Sequence, residues 1–371
     1  MQRRILFKEK EVASRKIMYF EVLRIIAVFL VIFNHTDENG FFLFSKYGTD
    51  TPHFWVYLFL SIFCKCAVFI FFAISGALLL GRETKSLKDL WRKKILKMVI
   101  ILVVFSLAYY IVDIAKYNEP FNFGYFVQRM YEKTTKYHLW YLYAYIAFLV
   151  SLPFLQNLVK NLKKKHFYYM IGIAVFFRMV LPIVEYLCSH GKVTMNENLK
   201  VSWLVSTIVL YPCIGYFLEH KVEATKKKVV GLWVFNLATI GIAMLMTFIR
   251  GQDRGNYNRS TSQMFHKTFQ LINCACVFLT VKYFCVRKKA KKRGHERLKK
   301  VIVELGGCTF GVYLIHMFLL QSEWVGGVFV GLTAVGVNRM LVALLVTAMV
   351  MLISTVIVFV VRKIPGVKRI L

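Results

Sequence analysis
The chain has 371 residues, 58% of them hydrophobic and 16% aromatic, with a mean hydropathy of +0.55. A water-soluble core of this length cannot hide that much apolar surface, which excludes a soluble globular protein and with it a nucleic-acid reading of the net charge of +31. The cations follow instead the loops of a polytopic membrane protein.

Windows of about 20 apolar residues, enough to cross a bilayer, predict an all-α fold with ten transmembrane helices. Their limits are 17–36, 54–80, 95–115, 138–157, 167–187, 201–218, 229–249, 265–285, 302–323 and 339–361. One membrane domain fills residues 1–371, with a basic leader (1–16), a basic tail (362–371), no soluble domain and no internal repeat. Segments 1–16, 81–97, 158–166, 219–228, 286–301 and 362–371 hold 34 of the 50 Lys and Arg, and the opposite loops hold ten. The positive-inside rule therefore places both termini in the cytoplasm. The densest run, Arg287 to Lys300, sets nine basic residues against Glu296 and is either a topology anchor or a place for anionic lipid headgroups. The first apolar stretch is long, follows a basic leader and lacks a small-residue cleavage site, so no signal peptide is expected to be removed.

The first span contains Phe20-Glu21-Val22-Leu23-Arg24 and closes on Asn34-His35. Glu21 lies three residues before Arg24 and can pair with it. Arg24 and His35 stand eleven residues apart. That is three helical turns with about 20° left over, so they share a face. Ionisable groups at membrane depth are functional candidates by default, the alternative being an interhelical hydrogen-bonding pair without chemistry. After the connection Thr36 to His53, the second span carries Lys65, too deep to snorkel and so expected to face the bundle interior. It ends in Phe71-Phe72-Ala73-Ile74-Ser75-Gly76, where Gly76 serves either close helix packing or a ligand.

The next inner loop brings Arg92, Lys93, Lys94 and Lys97 to the entrance of span three. Beyond the connection Lys116 to Tyr137, His138 and Trp140 head span four, where aromatic residues anchor a helix at the interface or stack on a sugar. Arg178 lies within span five. The longest outer connections, Thr36 to His53, Lys116 to Tyr137 and Arg250 to Met264, the last rich in Gly, Asn, Arg and Ser, read as polar, mobile loops able to receive a large acceptor. In span nine, Tyr313 precedes His316 by three residues on one face. The eight cysteines lie almost entirely in spans. Cys64/Cys66 and Cys274/Cys276 point to different sides of their helices with no His or carboxylate to complete a metal set, so they read as small packing residues.

In this order, the Glu21/Arg24/His35 set, the Phe-Phe-x-x-Ser-Gly segment, the basic loop and Gly306-Gly307-Cys308-Thr309-Phe310-Gly311 to His316 resemble acyltransferase family three. That family of integral membrane proteins includes O-antigen and peptidoglycan O-acetylases. The resemblance covers nearly the whole chain. It implies transfer of an acyl group, acetyl by preference, from cytoplasmic acyl-CoA to a hydroxyl of an extracytoplasmic or lipid-linked envelope saccharide, in a bacterial inner or plasma membrane and without a metal. His35 then suits the general base, an imidazole being neutral and able to accept a proton near neutral pH.

Arg24 stands about 16 Å from His35 along the helix and cannot act on the same proton. Oriented by Glu21, it would hold part of the donor or keep the cavity face positive, so the two residues form two stations on one face. Lys65, Ser75, Arg92, Lys94 and Lys97 are the expected donor contacts, Lys65 as a partner of Glu21 or of the donor. Lys94 and Lys97 stand where the family has Arg-x-x-Arg, and because Lys is a point charge rather than a bidentate donor they read equally as topology residues. His316, Tyr313, His138 and Trp140 are supporting or acceptor candidates. Membrane lipids, the saccharide and a separate extracytoplasmic transferase are the partners that fit, and nucleic acid does not. The alternative class is an exporter of a lipid-linked saccharide. Against it, the sequence shows neither internal repeats nor the paired broken helices common in transporters.

Overall fold
The computed structural model describes the backbone of residues 2–287 and 294–365, and the side chains of residues 18–286 and 296–365. No strand occurs among the described residues. In chain order the helices are α1 (Gln2–Asn34), α2 (Pro52–Cys64), α3 (Ala67–Leu79), α4 (Leu87–Leu90), α5 (Leu96–Tyr117), α6 (Phe123–Glu132), α7 (Trp140–Asn161) and α8 (Lys164–Val175). They continue as α9 (Leu181–Ser189), α10 (Thr207–His220), α11 (Lys226–Arg254), α12 (Arg259–His266), α13 (Gln270–Arg287), α14 (Gly294–Leu320), α15 (Glu323–Ala334) and α16 (Arg339–Val361). Local chemistry sets several of the starts. Thr51 caps α2 ahead of Pro52, whose missing N–H costs nothing at a first helical position, and the Asn338 side chain accepts from the Met340 and Leu341 amides at the start of α16.

Among the described residues, seven helical stretches are long and apolar enough to cross a bilayer, and eight if the bent pair α12–α13 is one span. The expected ten therefore divide differently. The two remaining stretches are α1, whose first half lies outside the described side chains, and α10. With 14 residues, α10 rises about 21 Å, short of the ~30 Å hydrocarbon core, because the preceding residues 201–206 are turns rather than helix. The side chains of the 1–16 leader, most of the tail and the middle of the Arg287 to Lys300 run also lie outside the described residues.

α1 is the central post, packed by α2, α3, α13, α14 and α16. Around it α3 and α10 cross at backbone contact. A Cβ on Gly76 would stand 1.9 Å from the Pro212 carbonyl oxygen, and one on Gly215 would stand 1.9 Å from that of Ala73. Small residues let helices approach this closely where lipid supplies no hydrophobic driving force, so packing accounts for Gly76. The polar connections are also more ordered in secondary structure than expected. α6 occupies much of Lys116 to Tyr137 and is tied back to α5 through Asp113, 2.7 Å from Lys136 and 3.9 Å from Arg129. The Arg250 to Met264 stretch is helical over most of its length, as the end of α11 and most of α12.

Contrary to the sequence reading, two spans are interrupted. α2 gives way to α3 at Lys65-Cys66, and α12 turns into α13 through 61° at Lys267-Thr268-Phe269. Neither break contains the Gly or Pro that announces one in sequence. Side-chain amides from other helices take over the freed carbonyls of the first break. Asn34 donates to Cys64 O at 3.1 Å, and Gln270 and Asn273 donate to Ile62 O at 3.2 and 3.4 Å. Two further spans carry π-helical turns, Trp91–Ile95 before α5 and Phe176–Val180 between α8 and α9.

Candidate active site
His35 is the first residue beyond α1, where the chain tightens so that its amide bonds Ile32 O at 3.0 Å. Its Nδ1 lies 2.8 Å from His316 Nε2 on α14, the rings stacked at 5.1 Å. His316 Nδ1 lies 2.7 Å from the Tyr313 carbonyl oxygen. A carbonyl can only accept, so Nδ1 of His316 carries the proton and the Nε2 of the neutral ring accepts. His35 Nδ1 must then be the donor, which leaves the lone pair on His35 Nε2. The hydrogen-bond network thus assigns the tautomer that a proton acceptor needs. Tyr137 meets the His35 ring edge-on at 5.0 Å. His138 stands 5.2 Å from the His316 ring, only 1% exposed, and neither of its ring nitrogens has a partner among the described residues. Its carbonyl accepts from Tyr313 Oη at 2.5 Å.

His35 opens onto a cavity of about 460 Å³ lined also by Asp37, Lys65, Tyr137, Trp140, Arg178, Arg259 and Lys267. Four cations there face one carboxylate. Asp37 sits just past α1 with φ +45° and pairs with Arg259 at 3.3 Å. Burial pushes its carboxyl above the ordinary carboxylate range, against the pull of Arg259 and Lys65. The Lys65 ammonium lies over the Phe41 ring at 5.2 Å.

A second cavity of about 340 Å³ lies further back along the same face of α1. Arg24, Ser75, Lys97, Tyr141, Tyr145, Gly306, Thr309 and Tyr313 line it. Arg24 is held by an ion pair to Glu21, whose buried carboxylate occupies the space that a Cβ on Gly306 would need. Gly306, the first residue of the span-nine motif, therefore makes room for the acid. Ser75 donates to Phe71 O at 2.9 Å within its own helix. Tyr313 stands between the two cavities: its ring borders the Arg24 cavity while its backbone carbonyl and hydroxyl serve the histidines.

The sequence-selected residues thus separate into two groups. Arg24, Glu21, Ser75, Lys97 and Tyr313 gather at one cavity, and His35, His316, His138 and Trp140 at the other. Lys65 belongs with His35, and it is Arg24 that partners Glu21, because the α2–α3 break turns Lys65 toward the far end of α1. Arg92 is exposed and borders neither cavity. Lys94 lines a separate groove with Arg82, Lys85 and Lys93, which meets the Arg24 cavity at Leu79. His138 is buried rather than interfacial, whereas Trp140, 38% exposed, does reach the surface. Asp37, Tyr137, Arg259 and Lys267 were missed. Asp37, Tyr137 and Arg259 stood in the outer connections that the sequence marks as acceptor loops, and a lysine at an unannounced bend leaves no signal.

A family model described as an acyltransferase domain matches residues 17–359. No curated protein and no solved structure matches the chain.

Proposed function
The chain belongs to acyltransferase family three and is a membrane acyltransferase, and we propose that it moves an acyl group, acetyl first, from acyl-CoA to a hydroxyl of an extracytoplasmic or lipid-linked saccharide with His35 as base. The observation that carries this reading is the relay from His35 through His316 to the Tyr313 carbonyl, which leaves His35 Nε2 unprotonated at the edge of a cavity.

In the proposed reaction His35 Nε2 takes the proton of the acceptor hydroxyl as its oxygen attacks the thioester carbon. The imidazolium keeps its Nδ1–H bond to His316, which steadies the new charge. Collapse of the tetrahedral intermediate breaks the C–S bond, and the proton on Nε2 passes to the departing CoA sulfur. Lys65, which lines the same cavity as His35, is a cation available to the transient oxyanion, the kind of preorganised charge on which acyl transfer depends. Arg24, Ser75 and Lys97 would receive the donor in the second cavity, with its phosphates on the Arg82, Lys85, Lys93 and Lys94 groove. The acyl end then has to pass the Tyr313 layer to reach His35.

The interrupted helices favour a second reading, an exporter, since broken spans also build transport sites. One experiment separates the two. Envelope glycans and lipids are compared by mass spectrometry in cells with the protein, without it, and with His35→Ala at matched abundance. We expect acylation to vanish without the protein and to fall by about 10²-fold or more in His35→Ala, the usual weight of a general base. Undiminished acylation in His35→Ala would overturn the assignment, and an envelope saccharide accumulating inside without any acyl difference would establish export.

A further inference from the structure
We propose that the His35 chamber selects an acceptor carrying an oxyanion, a phosphate or carboxylate on the saccharide, held by Lys65, Arg178 and Lys267 beside the reacting hydroxyl. The inference rests on His35 marking the acceptor side of the acyl-transfer reading.

Three separate spans deliver these cations, and each departs from a regular α-helix at the residue concerned. Lys65 sits at the α2–α3 break, Lys267 at the 61° bend between α12 and α13, and Arg178 within the π-helical turn Phe176–Val180. Irregular backbone inside a membrane span is tolerated only where it is buried in protein or lines a cavity, and π-turns concentrate at functional sites. All three side chains line the one cavity. None has a carboxylate within 4.0 Å among the described residues, and the only acid in the lining, Asp37, is engaged by Arg259 at 3.3 Å.

Topology does not account for them. They gather at the same end of the molecule as the connections poorest in Lys and Arg, the end opposite the basic loops that orient the chain. Lys65 and Arg178 are partly buried within their spans, and charge there without a carboxylate partner is costly unless something of opposite sign occupies the site. A cavity of about 460 Å³ matches the size of a small-molecule site, and Trp140 and Tyr137 on its wall provide faces for a sugar ring beside the charges.

The test measures binding to the full chain in nanodiscs of neutral phosphatidylcholine. Three probes share one scaffold: a neutral disaccharide, the same disaccharide oxidised to its uronate, and the same disaccharide bearing a glycerol phosphodiester. At least one anionic probe is expected to bind about tenfold or more tightly than the neutral one, and the better of the two tells phosphate from carboxylate. Binding should weaken as salt rises, fall about tenfold in Lys267→Gln or Arg178→Gln, and strengthen in Asp37→Asn. Lys267 is exposed, so its substitution tests the proposal even if Lys65→Gln does not fold. Equal binding of neutral and anionic probes, no binding of either anion at millimolar concentration, or anion binding indifferent to all three substitutions overturns the proposal. Release of CoA thiol from acetyl-CoA is followed in the same preparations. Its absence alongside intact, substitution-sensitive anion binding removes the acyl-transfer reading and leaves the anion site standing.

Discussion

His35 owes its proposed competence to a residue 281 positions away in sequence. His316 is itself fixed by a carbonyl one turn back, and this chain of donors and acceptors decides which nitrogen of His35 is free. His316→Ala removes the acceptor for His35 Nδ1–H, so the ring is no longer held in one tautomer or orientation. We expect kcat for acyl transfer to drop on the order of a hundredfold with little change in acceptor KM. His316→Gln, whose side-chain oxygen can accept the same bond, should recover part of that loss. A structural role alone would move both variants equally. Asp37 offers a second measurement. Its carboxyl titrates above the usual range in the folded protein because burial penalises the charge, so the folded form holds the proton more tightly than the unfolded chain. Stability from this group is therefore greatest at acid pH and declines as pH rises from about 3.9 through the raised folded value. Asp37→Asn, which also suits the left-handed backbone at φ +45°, should melt above the native protein at pH 7. The difference should close toward pH 4, as followed by thermal unfolding in detergent.

At the level of helices, the two cavities depend on how closely α3 and α10 approach and on how α2, α12 and α13 break. A Val at Gly215 would drive its side chain into the Ala73 backbone, which cannot yield as a flexible side chain would. Gly215→Val should cost about 1–3 kcal/mol or more, the range for overpacking. It should appear as a lowered melting temperature and reduced membrane abundance, while Gly231→Val, which meets nothing within 4 Å, should leave both unchanged. Helix existence was legible from sequence because a lipid-exposed face demands an unbroken apolar run. The breaks were not. Lys65-Cys66 and Lys267-Thr268-Phe269 contain ordinary helix-compatible residues, and at the first break the freed carbonyls are met by amide N–H groups that Asn34, Gln270 and Asn273 donate from other helices. The sequence likewise left Lys65 between Glu21 and the donor, and the fold places it in the cavity with His35.

For the molecule as a whole, apolar runs and the uneven spread of Lys and Arg suffice to specify an all-helical membrane protein. The ordered motifs suffice to specify its family, because bilayer thickness and charge translocation act on the chain locally. The spacing of Arg24 and His35 likewise implied two stations on one face, since helical geometry is itself a local property, and two separate cavities do open along α1 at those residues. Which residues join each station could be settled only by folding. The histidine pair, the Glu21 carboxylate seated against Gly306 and the gathering of Lys65, Arg178, Arg259 and Lys267 all join residues far apart in sequence. The first two follow from the packing of α1 on α14, the cation cluster from backbone interruptions on separate spans, and no single segment carries that information.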